Sequence, residues 1–278
     1  MSLAFVFPGQ GAQTIGMGRD LAEAYPAAQA VVDEVDEALG EKLSALIWEG
    51  EAETLTLTQN AQPALMATSL AAVRALEAEG VSVDVASFVA GHSLGEYSAL
   101  CAVGALELAD TARLLRLRGE AMQSAVPVGE GAMAAVLGLE IDAVEALAAD
   151  AAEGEVCEVA NENDPAQTVV SGSKSAIDRV VAMAKERGAK RALPLPVSAP
   201  FHCALMQPAA DAMAEALKSV AIQAPSVPVV ANVVAEAVQD PEVIRKLLVD
   251  QVAGRVRWRS SVEWMAEQGV DAFWELGA

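Results

Sequence analysis

Ser87-Phe88-Val89-Ala90-Gly91-His92-Ser93-Leu94-Gly95 decides how the rest of the 278-residue chain is read. Residues 87–90 are apolar and β-inclined, and a helical run follows Gly95, so Gly91-x-Ser93-x-Gly95 falls at a strand-to-helix turn. That turn forces a serine into a tight conformation with its hydroxyl projecting, and a glycine on either side removes the clashes, as in a nucleophile elbow. Away from such a context the same pattern is an ordinary glycine-rich turn. The N-terminus of the following helix lies under the reacting centre and favours developing negative charge. Ser93 is therefore the candidate nucleophile.

Working outward on the N-terminal side, residues 3–7 form a short apolar run stopped by Pro8 and Gly9, a buried strand entering a glycine-containing loop. Helical patterns cover residues 17–39 and 63–78, the second opening on Pro63, which a first helical turn tolerates. On the C-terminal side a helix is predicted over 110–125. Between Gly131 and Leu195 the apolar periods run strand (132–137), helix (141–152), strand (156–160), strand (168–171), helix (176–187), strand (192–195). This β-α-β-β-α-β order is that of a split βαβ, ferredoxin-like unit. Pro127 with Gly129, and Pro194 with Pro196, mark its edges. Strands at 227–230 and 272–274 resume the alternation. The pattern is a parallel α/β domain interrupted by a small inserted one, with residues 1–126 and 198–278 in the large domain and 127–197 in the insert. The chain stops just after a candidate strand, and a closing segment is expected to be missing beyond Glu275.

A serine hydroxyl needs a base within hydrogen-bond reach, most often a histidine. The chain has two. His92 adjoins the nucleophile, so its side chain should diverge from Ser93, which leaves His202 in a loop entering the next helical run. No Asp or Glu is obviously placed to orient it, and a side-chain or backbone carbonyl is expected to serve, Gln251 being one candidate. The oxyanion of acyl transfer needs two N–H donors. One is that of Leu94, the residue after the serine. The other is assigned to Gln10, in the loop Pro8-Gly9-Gln10-Gly11, where glycines let the backbone come close.

In the helix over 110–125, Arg118 falls on the apolar face with Leu114, Leu115, Ala121 and Met122. A buried arginine cannot shed its charge and must meet an anion. Two readings remain: a structural ion pair with a core acid, or a planar fork that holds the free carboxylate of an acyl group such as malonyl.

Composition excludes other classes. Hydrophobic residues make up 53% of the chain, enough for a sizeable core, and no apolar run approaches the length of a membrane span. Lys and Arg number 18 against 39 Asp and Glu, a net charge of −21, which argues against nucleic acid. Six cations, Lys174, Arg179, Lys185, Arg187, Lys190 and Arg191, fall in one short stretch where an acidic protein could dock, although an ordinary solvated helix face reads the same way. Three widely spaced cysteines signal neither a disulfide framework nor zinc, and no metal ligands are assigned. The N-terminus lacks the basic region of a signal peptide. A cytoplasmic monomer is expected.

Taken together, Phe7-Pro8-Gly9-Gln10-Gly11-Ala12-Gln13, Gln62-Pro63-Ala64, Gly91-His92-Ser93-Leu94-Gly95-Glu96-Tyr97, Arg118-Gly119, Gly131-x-Met133-Ala134-Ala135 and Val197-Ser198-x-Pro200-x-His202-Cys203 resemble the malonyl-CoA:acyl carrier protein transacylases, in family order over essentially the whole chain. The resemblance implies an α/β-hydrolase-like large domain with a ferredoxin-like insert. It implies Ser93 as the acylated nucleophile, His202 as base, the Gln251 carbonyl as its orienting group, Gln10 and Leu94 as oxyanion donors, and Arg118 as clamp for the malonyl carboxylate. Gln62, Met122 and Phe201 complete the expected substrate contacts. Phe201 resembles the residue of acyltransferases that choose malonyl over methylmalonyl. The implied reaction takes malonyl from malonyl-CoA to the phosphopantetheine thiol of acyl carrier protein, with no resident cofactor; the charge pattern, not the resemblance, makes the stretch from Lys174 to Arg191 the expected docking surface for the carrier. The sequence departs at Ala166, where many relatives carry Gly, and in lacking a Gly-Pro-Gly-Lys-like ending.

Overall fold

The computed structural model describes residues 2–197 and 199–278; Ser198, where the large domain was expected to resume, and Met1 lie outside the described residues. The buried strand β1 (Leu3–Phe7) opens the chain. The helical pattern at 17–39 resolves into two helices, α1 (Arg19–Ala24) and α2 (Pro26–Leu39). The break is local chemistry: Pro26 crowds the residue before it out of the helical region, and Tyr25 is extended at φ −124°, ψ 112°. Two short helices that the periodicity missed follow, α3 (Leu43–Glu49) and α4 (Ala52–Thr56).

The next helix, α5 (Thr58–Ala78), starts five residues earlier than the proline predicted, so Pro63 sits inside it. Then come β2 (Phe88–Gly91), α6 (Leu94–Ala102) and α7 (Leu108–Ser124). Helices α5 and α7 touch almost backbone to backbone: a Cβ on Gly119 would stand 2.5 Å from the Cα of Gln59. This approach carries Gln62 to Arg118.

The middle of the chain forms β3 (Gly131–Leu137), α8 (Ile141–Ala152), β4 (Cys157–Asp164), β5 (Gln167–Ser173), α9 (Lys174–Met183) and β6 (Arg191–Pro194). Its four strands make a separate antiparallel sheet in the order β4-β5-β3-β6. Val136, Val144, Leu147, Val170, Ile177 and Val180 fill its own apolar cluster against α8 and α9.

The chain then runs through α10 (Gln207–Lys218), β7 (Val229–Ala231), β8 (Glu236–Val238), α11 (Pro241–Ala253), α12 (Trp258–Glu267) and β9 (Ala272–Glu275). The larger sheet has the order β8-β7-β2-β1-β9. Its pairings are parallel except one: β8 returns antiparallel to β7 after a turn in which Ala235 takes φ 55°. The parallel sheet expected from the sequence thus carries an antiparallel edge, because a three-residue strand leaves almost no periodic signal.

Main-chain bonds join β4 of the smaller sheet to the connection between α11 and α12. Asn161 of β4 bridges Val256, Glu162 N–H donates to the Val256 carbonyl at 2.9 Å, and Val256 N–H donates to the Ala160 carbonyl at 2.8 Å. Beside them Arg255 donates to Glu162 at 3.0 Å and to Glu145 at 2.6 Å. Among the described residues no helix is long and apolar enough to cross a membrane.

Candidate active site

The carboxyl ends of β1 and β2 lead into one cavity of about 730 Å³, lined by Gln10, Ser93, Leu94, Arg118 and His202 and roofed from the smaller sheet by Met133, Asn161 and Val169. Ser93 stands between β2 and α6 at φ 54°, ψ −108°, a region that side chains strongly disfavour. Its neighbours admit no Cβ. One on Gly91 would lie 1.9 Å from the Gly95 carbonyl carbon, and one on Gly95 would lie 2.4 Å from the Phe7 oxygen. The predicted elbow is present.

His202, also in the left-handed region at φ 58°, places Nε2 2.8 Å from Ser93 Oγ. Its Nδ1 lies 2.9 Å from the Gln251 carbonyl, which can only accept, so the ring proton resides on Nδ1 and the Nε2 lone pair faces the serine hydroxyl. The carbonyl of Gln251 thus does what a carboxylate does in a triad. Burial first, and then the Arg118 guanidinium, push the imidazole down to about 3, so it is neutral across the physiological range. His92 diverges, as expected: its Nε2 lies 2.9 Å from Asn163 Oδ1 and its ring packs against Trp258.

Arg118 is 1% exposed and takes part in no ion pair among the described residues, which removes the structural-pair reading. Its Nη1 donates to Gln62 Oε1 at 2.8 Å, and its Nη2 donates to Ser93 Oγ at 3.0 Å and to Gln251 Oε1 at 2.8 Å. Nε is buried without an acceptor, and the guanidinium lies 5.7 Å from the centroid of the Tyr97 ring. A buried cation whose hydrogen bonds go only to neutral oxygens, with Glu96 acting on it through space and not as a direct pair, has capacity beside an open cavity for an anion.

The N–H groups of Gln10 and Leu94 have no acceptor among the described residues, and both residues line the cavity with Gln62, Met122 and Phe201. Gln251 is not in the lining but holds the site from behind. Two residues that the sequence reading passed over complete that support. Asn232, just beyond β7, accepts from Ser93 N–H at 2.8 Å and donates to the Gly91 carbonyl at 2.7 Å. Glu96, in the first turn of α6, accepts from Asn232 N–H and from Gln251 Nε2, both at 2.9 Å. The position of Asn232 at the carboxyl end of a sheet strand was the one usable signal.

The basic stretch is less basic than its composition. Lys174 pairs with Asp178, Arg179 with Glu155, and Arg187 with Asp150. Lys185, Lys190 and Arg191 are exposed and join no ion pair among the described residues. Strand β6 leads from Arg191 into Leu195, Pro196 and Val197 at the cavity wall.

The acyl transferase domain family matches residues 4–278. The chain is 48% identical over 276 residues to the malonyl CoA-acyl carrier protein transacylase of Bacillus subtilis, covering 99% of this chain and 86% of that protein. It is 48% identical over 274 residues to the Escherichia coli protein of the same name, covering 99% and 88%. The acyl-carrier-protein-S-malonyltransferase structure from Bartonella henselae superposes with a TM-score of 0.98 at 56% identity, over 100% of this chain and 89% of that one. A malonyl-transacylase solved in complex with its type II PKS acyl-carrier protein gives 0.96 at 44% identity, over 100% and 89%. On fold, site and sequence alike, the chain belongs to the malonyl CoA-acyl carrier protein transacylase family.

Proposed function

We infer that the chain moves a malonyl group from malonyl-CoA to the phosphopantetheine thiol of acyl carrier protein through a malonyl ester on Ser93. The observation that carries this reading is the convergence of Ser93 Oγ, His202 Nε2 and Arg118 Nη2 at 2.8 and 3.0 Å. A hydroxyl, its base and a free cation in one cavity suit an acyl group that ends in a carboxylate.

In the first half-reaction Ser93 Oγ attacks the thioester carbonyl as His202 Nε2 takes the hydroxyl proton. The oxyanion meets the N–H groups of Leu94 and Gln10. The C–S bond then breaks, and His202 returns the proton to the departing CoA sulfur. In the second half the carrier thiol gives His202 its proton and its sulfur attacks the ester. The C–Oγ bond breaks, and the proton returns to Ser93. Arg118 holds the malonyl carboxylate throughout, so the reacting carbonyl stays aimed at the serine. Phe201, Met122 and Gln62 bound the acyl group. Both thioesters arrive as substrates, so these steps balance without a resident cofactor.

The two sheets correspond to an α/β-hydrolase-like domain, residues 1–126 and 198–278, and a ferredoxin-like insert, 127–197. The chain works as a cytoplasmic monomer, and the carrier docks at the exposed cations of the basic stretch, Lys185, Lys190 and Arg191. Intact-mass spectrometry after mixing with malonyl-CoA tests the central claim. Wild type should gain one malonyl mass and Ser93→Ala none; an unmodified wild type, or an adduct that survives in Ser93→Ala, overturns it.

A further inference from the structure

Glu96 is a carboxyl side chain only 2% exposed, and no cation pairs with it among the described residues. The Arg118 guanidinium acts on it only through space, so hydrogen bonds carry most of the burden of keeping such a group out of water. Oε2 receives both of them, from Asn232 N–H and from Gln251 Nε2.

The second bond settles which way the Gln251 amide points. Its Nε2 end faces three acceptors: Glu96 Oε2 at 2.9 Å, the Ser93 carbonyl at 3.0 Å and Asn232 Oδ1 at 3.3 Å. Its Oε1 end is thereby committed to Arg118 Nη2, which the same nitrogen shares with Ser93 Oγ. Turning the amide over would set its N–H groups against the guanidinium and its oxygen against the carboxyl, two repulsions in a desolvated place. The chain of contacts runs Glu96, Gln251, Arg118, Ser93, and none of the first three touches the reacting carbon.

Resting on the transfer reaction above, we propose that Glu96 is a positioning residue for acyl selection: by fixing the Gln251 amide it holds the Arg118 guanidinium in the attitude that receives the free carboxylate of the acyl group. Asn232, the other partner of Glu96, holds the Ser93 main chain, so the same carboxyl sets the clamp and the nucleophile against each other.

Single-turnover loading with malonyl-CoA and with acetyl-CoA, in wild type, Glu96→Gln, Arg118→Ala and the double variant, tests this. A glutamine at 96 keeps the size but brings an N–H₂ of its own to face that of Gln251. Glu96→Gln should lower kcat/KM for malonyl-CoA by about tenfold or more and for acetyl-CoA by less than about threefold, so that the ratio between the donors falls. In the Arg118→Ala background the same change should alter malonyl loading by less than about threefold, because the clamp it serves is gone. Equal losses with both donors, or an undiminished effect without Arg118, would show a merely structural role and overturn the proposal. Should Glu96→Gln not fold, Gln251→Leu keeps the carbonyl that holds His202 and must show the same fall in the ratio; an unchanged ratio there overturns the proposal equally. A wild type that accepts no malonyl at all would instead defeat the transfer reaction itself.

Discussion

At His202, burial and the Arg118 guanidinium hold the imidazole near 3, whereas at Glu96 burial lifts the carboxyl to about 7. Their linkages to folding run in opposite senses. Between pH 6.5 and about 3 the unfolded histidine binds a proton that the folded one refuses, so acid lowers stability through His202. Between pH 4.5 and about 7 the folded Glu96 keeps a proton that the unfolded chain releases, so base lowers stability through Glu96. The slopes oppose each other where they overlap, and subtracting curves separates them. Urea unfolding of wild type and Glu96→Gln across pH 4.5 to 7.5 should show wild type losing about 3 kcal/mol relative to the variant as pH rises; a constant difference would refute the buried titration. Ser93 and His202 were legible in sequence because the chemistry left few candidates. The partner of Arg118 was not, since periodicity tells which face a residue occupies and not what that face meets. Glu96 was silent, and Asn232 showed only as a residue beyond the carboxyl end of a strand, because their bonds span 136 and 155 positions.

Among the elements, the elbow carries a measurable strain. Ser93 at φ 54°, ψ −108° occupies a conformation costing about 1–3 kcal/mol for any residue with a Cβ. Two inactive variants should therefore differ in stability. Ser93→Gly is expected to unfold at higher denaturant than Ser93→Ala, by about 1–2 kcal/mol, and equal midpoints would mean that the turn is relaxed. The element order was readable wherever period and length were long: α8 was placed at both its ends, and each strand from β3 to β6 was found. Boundaries failed where a single residue carries two meanings. Pro63 reads as a helix start, yet α5 begins at Thr58 and passes through it, because the packing of α7 on that first turn outweighs the bond that proline removes.

Over the molecule as a whole, a net charge of −21 opposes any acidic partner, so the few unpaired cations matter beyond their number. Replacing Lys190 and Arg191 together by Glu should raise the KM for carrier protein about tenfold at low salt, with less effect as ionic strength rises, and leave malonyl loading from malonyl-CoA within about twofold. Carrier kinetics indifferent to both changes would move the docking surface elsewhere. The stitch between β4 and the α11–α12 connection, Val256 with Ala160 and Glu162, reaches further. A roof sewn to its floor at this seam can open there only by breaking those bonds. The distance between an acyl donor and Ser93 is then left to the visitor's own slender, pliant tether.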